Sequence, residues 1–221
     1  MLKYSITFDW KWLNQDPGML PLNDHPRLLV QQVHELAEFI GFESRNKYQI
    51  LAGDQQPLAF AAEQSSGLLG TLARQALGHW RRFDLIFFDG QRQPFMRAHH
   101  PFRWLLQRLE ISDHQGAPLG AIQQRFSLLH KEFDLLDVQG QVVLRVASPL
   151  WKLWTFPFVD EQQRQQALVA KRWSGAFSEL MTDRDNFLVE FEAGLNPALR
   201  HLVLAAAVFI DLQYFEAKAS G

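Results

Sequence analysis

The segment that most constrains this chain is NPALRHLVLAAAVFIDLQYFE, residues 196–216. Asn196 is a good helix N-cap, and Pro197 suits the first helical position, where an N–H would lack an intrahelical partner anyway. From Leu202 to Ile210 every residue is apolar. A helix that is apolar all round either spans a membrane or is enclosed on every side by protein. A span needs roughly 20 predominantly apolar residues. Here Arg200 and His201 close the apolar run on one side and Asp211 on the other, so the segment reads as a buried core helix, over about 197–218.

What surrounds it is legible upstream. Polar turn clusters recur at residues 52–55, 89–91, 113–116, 138–141, 160–162 and 182–185, from the second onward about every 22–26 residues. Their flanks are strand-like: FDLIFF before one, KEFDLLD and VVLRVAS around another, NFLVEF after the last. Six such turns imply roughly twelve strands. A barrel of about eight strands is filled by its own side chains, whereas a larger one has room for a central helix. The expected fold is mainly β: a single twelve-stranded barrel built of hairpins around the buried C-terminal helix. No Pro/Gly/Ser-rich linker divides the series, so residues 27–221 read as one barrel domain, with 1–26 as an N-terminal segment packing on it. Leu28–Phe42 is ambiguous, because its spacing allows a short helix while Leu28, Val30 and Gln32 could equally begin a strand.

Composition narrows the chemistry. The chain has no cysteine, which excludes disulfides, thiolate metal sites, a cysteine nucleophile and S-acylation. The N-terminus lacks the continuous apolar stretch of a signal peptide. Net charge is −2, but the middle of the chain is basic: Arg74, Arg81, Arg82, Arg92, Arg97, Arg103 and Arg108 face only Asp84 and Asp89 between Gln64 and Leu109. Such a bias either forms a patch for anionic headgroups or nucleic acid, or is scattered over a solvated wall. In WKLWTFPF, Trp151 and Leu153 fall on one face of a strand and Trp154, Phe156 and Phe158 on the other, while Pro157 points to an edge or a strand end. These aromatics either pack inward or meet a membrane interface. His99 and His100, adjacent on a strand, point to opposite faces and make a poor metal site. The sequence shows no phosphate-cradling glycine loop and no nucleophile–base–orienter set.

Several segments, in order and spacing, are shared with one family: GFESRNKYQIL, FAAEQS, HPFRW, GAIQQRF, VAKRWSGAFSELMTDRDNFLVEF and the final LVLAAAVFIDLQYFE. Through them the chain resembles the phospholipid scramblases, of the Tubby C-terminal-like superfamily, from about Arg27 to Glu216. The resemblance implies a twelve-stranded barrel around a hydrophobic C-terminal helix, matching the reading from the residues. Animal members are described as calcium-dependent lipid scramblases. Their long proline-rich N-terminal extension and their cysteine clusters have no counterpart in this sequence, and one cysteine-rich stretch aligns with PLWKLWTFPF. The family's proposed calcium segment corresponds to DRDNFLVEFEAG, which offers Asp183, Asp185 and Asn186. Leu188 replaces the glycine of an EF-hand and Gly194 its terminal carboxylate, so calcium is at most a weak ligand, and the alternative is a plain hairpin turn. Tubby relatives bind phosphoinositides through basic surface residues, which ranks lipid above nucleic acid as a partner.

The expected function is therefore scramblase-like: a non-enzymatic protein that binds anionic phospholipid at a membrane surface, cytoplasmic and peripheral at the inner face, with no transmembrane helix. Candidate lipid contacts are Arg81, Arg82, Arg92, Arg97, Arg103, Trp151 and Trp154. Movement of lipids between leaflets, assisted by calcium, is one alternative. An intracellular protein- or nucleic-acid-interaction module is the other.

Overall fold

The computed structural model describes residues 19–33, 46–64, 82–127, 130–149, 154–171 and 186–214. Twelve antiparallel strands close a barrel in which each strand pairs with its neighbours in sequence and β1 pairs with β12. They are β1 (Arg27–Gln32), β2 (Lys47–Ala52), β3 (Pro57–Glu63), β4 (Phe83–Asp89), β5 (Pro94–His100), β6 (Arg108–Asp113), β7 (Pro118–Gln124), β8 (His130–Leu136), β9 (Val142–Pro149), β10 (Thr155–Val159), β11 (Gln165–Ala170) and β12 (Asn186–Phe191). The helix α1 (Pro197–Tyr214) returns from the end of β12 through the barrel, and Leu202 to Ile210 are all buried. The ambiguous segment after Arg27 opens as a strand.

Five of the six turn clusters are hairpin turns, and four share one construction. Asp89, Asp113, Asp137 and Asp160 each accept, through Oδ1, the backbone N–H groups two and four residues on, at 2.8–2.9 Å. The fourth residue of each turn is left-handed: Arg92, Gly116, Gly140 and Gln163 have φ of 65°, 88°, 79° and 62°. An aspartate that binds its own downstream backbone is a compact way to close a hairpin. The sixth cluster, 182–185, lies outside the described residues. Five hairpins supply ten strands, and the count of twelve comes from β1 closing on β12. The tight turns all lie at one end of the barrel. Strands β1, β3, β5, β7, β9 and β11 end at the other, where the β5–β6 connection and residues 125–127 lie.

Pro157 corrects an expectation. A closed barrel has no edge, and Pro157 sits inside β10, paired with Leu168 of β11. It is tolerated because the ladder from β10 to β9 reaches only Phe158 and Val159, so its missing N–H falls where that ladder is already interrupted. Its neighbours Phe156 and Phe158 point inward and are buried.

The helix fits because both surfaces are tailored. Ala205, Ala206 and Ala207 allow close approach, and Phe209 packs near the rings of His100 and Phe133, with centroids 5.8 and 6.1 Å away. On β7, Gly120 has φ 147°, and a Cβ there would collide with the Leu136 carbonyl and lie 3.0 Å from Leu202 Cδ1 of the helix.

Both ends of the helix are locked by charge. At the tight-turn end Asn196 Oδ1 caps the Ala198 N–H at 2.8 Å. The buried Arg200 donates to the carbonyls of Leu195, Leu22, His25 and Glu192 at 2.9–3.3 Å and stacks over Phe191. This ties residues 22–25, whose Leu22 is itself buried, to the helix. At the far end buried Asp211 accepts from the Tyr48 hydroxyl at 2.8 Å and from Lys171 Nζ at 3.1 Å. Beside Arg200, the His201 ring meets the Pro197 carbonyl through Nδ1 at 2.8 Å. Burial pushes the His201 pKa below the ordinary histidine value, against the opposing pull of the Pro197 and Leu20 carbonyls.

Four outcomes are expected. Ala206→Lys should destabilise by about 4 kcal/mol or more, because it buries a new charge in the barrel axis, and Gly120→Ala by about 2–4 kcal/mol. Urea unfolding of both variants checks this. Removing one partner of a buried ion pair costs about 3–5 kcal/mol, so Asp211→Ala should lower the melting temperature sharply. His201 has a depressed folded pKa, so its neutral form is favoured in the native state. Its contribution to stability is complete above the ordinary histidine value near 6.5 and is lost as pH falls below that towards the folded pKa. Melting curves between about pH 7.5 and 5.5 (about one unit either side of that value) should show this loss in wild type and a shallower one in His201→Gln.

Candidate functional site

Strand alternation places Asp84, Arg97, His99, Arg108, Glu110, Gln123 and Asp134 on the outer wall of β4–β8, opposite the inward row. Arg82, Arg97, His99 and Arg108 line one shallow groove of about 710 Å³, which runs past Ser112 and Gly116 to the turn 137–140. The register that gathers the arginines also sets acids among them. Arg97 contacts Asp84 Oδ1 at 3.0 Å, and His99 Nδ1 meets the same oxygen at 2.8 Å. Arg108 meets Glu110 at 3.3 Å and reaches Gln123 at 3.4 Å. Arg97 and Glu110 are exposed and their partners half-buried, so each pair adds only modest stability and its arginine remains open to competition by an outside anion. Further round the wall, Arg125 and Arg145 approach Asp134 at 3.7 and 3.8 Å. Burial nonetheless raises the Asp134 pKa above the ordinary carboxylate value, outweighing both arginines.

The sequence candidates thus divide. Arg82 and Arg97 meet in the groove. Arg92 is in the β4–β5 turn at the tight-turn end, and Arg103 is in the β5–β6 connection at the opposite end. Arg81, Trp151, Asp183 and Asp185 lie outside the described residues. Trp154 stands just before β10, 40% exposed, while Asn186 is buried at the start of β12. Among the described residues no cluster of three histidine or acidic side chains could hold a metal ion. Two contributors are not among the sequence candidates. Arg108 stands out in the sequence only as part of the basic run, and His99 only as half of a histidine pair. Their convergence depends on cross-strand register, which adjacency in sequence does not reveal.

A second feature has no sequence candidate except Arg103 and Trp154. The connection PFRWLLQ between β5 and β6 exposes Phe102, Trp104, Leu105 and Leu106, with Trp104 at 63% and Leu105 at 80%. In the neighbouring β7–β8 connection Phe126 is 77% exposed. The scaffold holds these connections together. Gln107 N–H donates to Gln124 Oε1 at 3.0 Å, Gln124 N–H to the Gln107 carbonyl at 2.8 Å, and Gln123 Nε2 to the Leu106 carbonyl at 3.3 Å. Leu106 adopts φ 46°, a left-handed conformation that a leucine takes only under constraint, and Phe102 packs edge-on to Trp104 at 5.4 Å.

The comparisons with known proteins follow the same outline. The Scramblase family model matches residues 7–217. The chain is 28% identical to human phospholipid scramblase 1, over 94% of this chain and 69% of that protein. It is 30% identical to mouse phospholipid scramblase 1, over 92% of this chain and 65% of that one. A phospholipid scramblase family protein of Schizosaccharomyces pombe is 27% identical over 82% of this chain and 53% of its own length. Among solved structures, an X-ray structure of an Arabidopsis thaliana protein superposes with a TM-score of 0.50 over 85% of this chain and 91% of that one, at 11% identity. That likeness concerns the fold alone. The match to the family model covers nearly the whole chain, barrel and helix together, and the chain belongs to the Scramblase family.

Proposed function

We propose that this protein binds anionic phospholipid at a membrane surface, as a peripheral protein on the cytoplasmic face. The observation that carries the reading is the meeting of Arg82, Arg97 and Arg108 on one wall of a barrel that belongs to the Scramblase family. Three cations on one face attract a negatively charged leaflet, at about 1 kcal/mol each near the surface. Asp84 and Glu110 offset part of that attraction, so the attachment is reversible and sensitive to salt.

Binding at the surface suits the geometry better than spanning. A membrane-spanning barrel turns apolar side chains outward. Here the outward positions include Arg97, Glu110, Asp134 and Arg145, and the apolar rows face the helix. Among the described residues no helix is long and apolar enough to cross a membrane. The relatives named phospholipid scramblases favour lipid movement between leaflets as a second reading, for which reconstitution into labelled vesicles is the test.

Co-sedimentation with vesicles of neutral and of anionic phospholipid, at low and high salt, tests the first. Wild type should bind the anionic vesicles, and binding should fall as salt rises. Arg82→Glu with Arg97→Glu should weaken it about ten-fold or more with little change in melting temperature, since both side chains are exposed. Indifference of wild type to anionic vesicles at low salt would overturn the reading in favour of an interaction module.

A further inference from the structure

Among the described residues the two ends of the barrel are chemically unlike. Seven large apolar side chains are exposed among the described residues: Phe102, Trp104, Leu105, Leu106, Phe126, Val138 and Trp154. All but Val138 lie at the end with the long connections. Single exposed apolar residues are ordinary, but a contiguous group marks a contact surface. Phe102, Trp104, Leu105 and Leu106 occupy one connection, and the glutamine hydrogen bonds fasten the adjoining β7–β8 connection, with Phe126, beside it. Cations are interleaved with them: Arg103 stands between Phe102 and Trp104, and Arg125 precedes Phe126, both exposed.

We propose that this end of the barrel docks into the bilayer: Trp104, Leu105 and Phe126 enter the boundary between headgroups and acyl chains, while Arg103 and Arg125 lie against anionic headgroups. The proposal rests on the phospholipid-binding reading and adds to it the docking face and an apolar mode of contact. Three observations select a bilayer as the occupant. The apolar side chains project rather than line a cleft, as the 80% exposure of Leu105 requires, and a fluid interface accepts projecting side chains without a complementary pocket. Aromatic rings flanked by arginine match an interface that is apolar on one side and anionic on the other. The connection is held in a constrained shape, with Leu106 left-handed, so presenting these side chains requires little further ordering on binding. In this orientation Arg82, just before β4, and Arg108, at the start of β6, lie at the membrane-facing end of the groove, and the turn 137–140 points away.

The absence of cysteine makes the test direct, because one introduced cysteine is the only labelling site. Leu105→Cys, Phe126→Cys and Val138→Cys would each carry an environment-sensitive fluorophore and meet vesicles with about 30 mol% anionic phospholipid. The labels at 105 and 126 should shift to the blue and be quenched by acyl-chain spin labels. The label at 138, on the opposite end, should do neither. A double variant, Trp104→Ala with Leu105→Asp, should lower vesicle partitioning about ten-fold or more while leaving the melting curve unchanged. Vesicle binding with silent labels at 105 and 126, or undiminished binding by the double variant, would overturn this docking mode and leave phospholipid binding standing. Self-association without vesicles that Leu105→Asp abolishes would assign the surface to a second copy of the chain and overturn the proposal. No sedimentation of wild type at low salt would overturn the phospholipid reading and the docking mode together.

Discussion

The burial of one all-round apolar helix governs this structure. Leu202 to Ile210 offer no polar face, so water cannot be accommodated on any side, and a single sheet packed against one face would leave the other exposed. A closed barrel is the arrangement that covers such a helix completely while pairing the strands that cover it. The small side chains Ala205–Ala207 and the glycine at 120 then set how closely wall and helix approach. Arg200 and Asp211, which bound the apolar run, are drawn into the protein and hold its two ends, each through partners distant in sequence.

That arrangement leaves the wall and its ends free for other work. Because the inward row of each strand is committed to the helix, the outward row can be charged, and it is. The groove with Arg82, Arg97 and Arg108 is thus a surface feature on a rigid support, tempered by the acids that the same register brings beside it. The barrel also separates its connections by end. Four short turns close on an aspartate, whereas the β5–β6 connection at the opposite end projects side chains away from the sheet. Membership of the Scramblase family fits a lipid-binding role for such a surface.

Much of the fold is legible in the residues. The N-cap at Asn196, the unbroken apolar run and the recurring polar turns carry local physics that does not depend on distant partners, and they specify a central helix and a hairpin wall. Pro157 misleads because a proline in a strand signals a missing N–H but not whether a ladder was there to lose it. The candidate site is legible only in part. The basic run is evident, but Arg92 and Arg103 go to opposite ends while Arg108 and His99 join Arg82 and Arg97, because proximity across strands depends on register.

The sequence by itself determined the class of fold: alternation and turn chemistry are local, and an apolar helix bounded by charged and polar residues must be enclosed. The absence of cysteine likewise removes whole classes of chemistry, whatever the chain folds into. Only the tertiary structure decided which charges meet and which apolar side chains remain outside. Trp104 and Phe156 are equally aromatic in sequence, yet one projects from a connection and the other is buried in the core. The difference is set by where the strands end and which connections share an end of the barrel. Those depend on closure of β1 onto β12, a pairing between segments far apart in the chain.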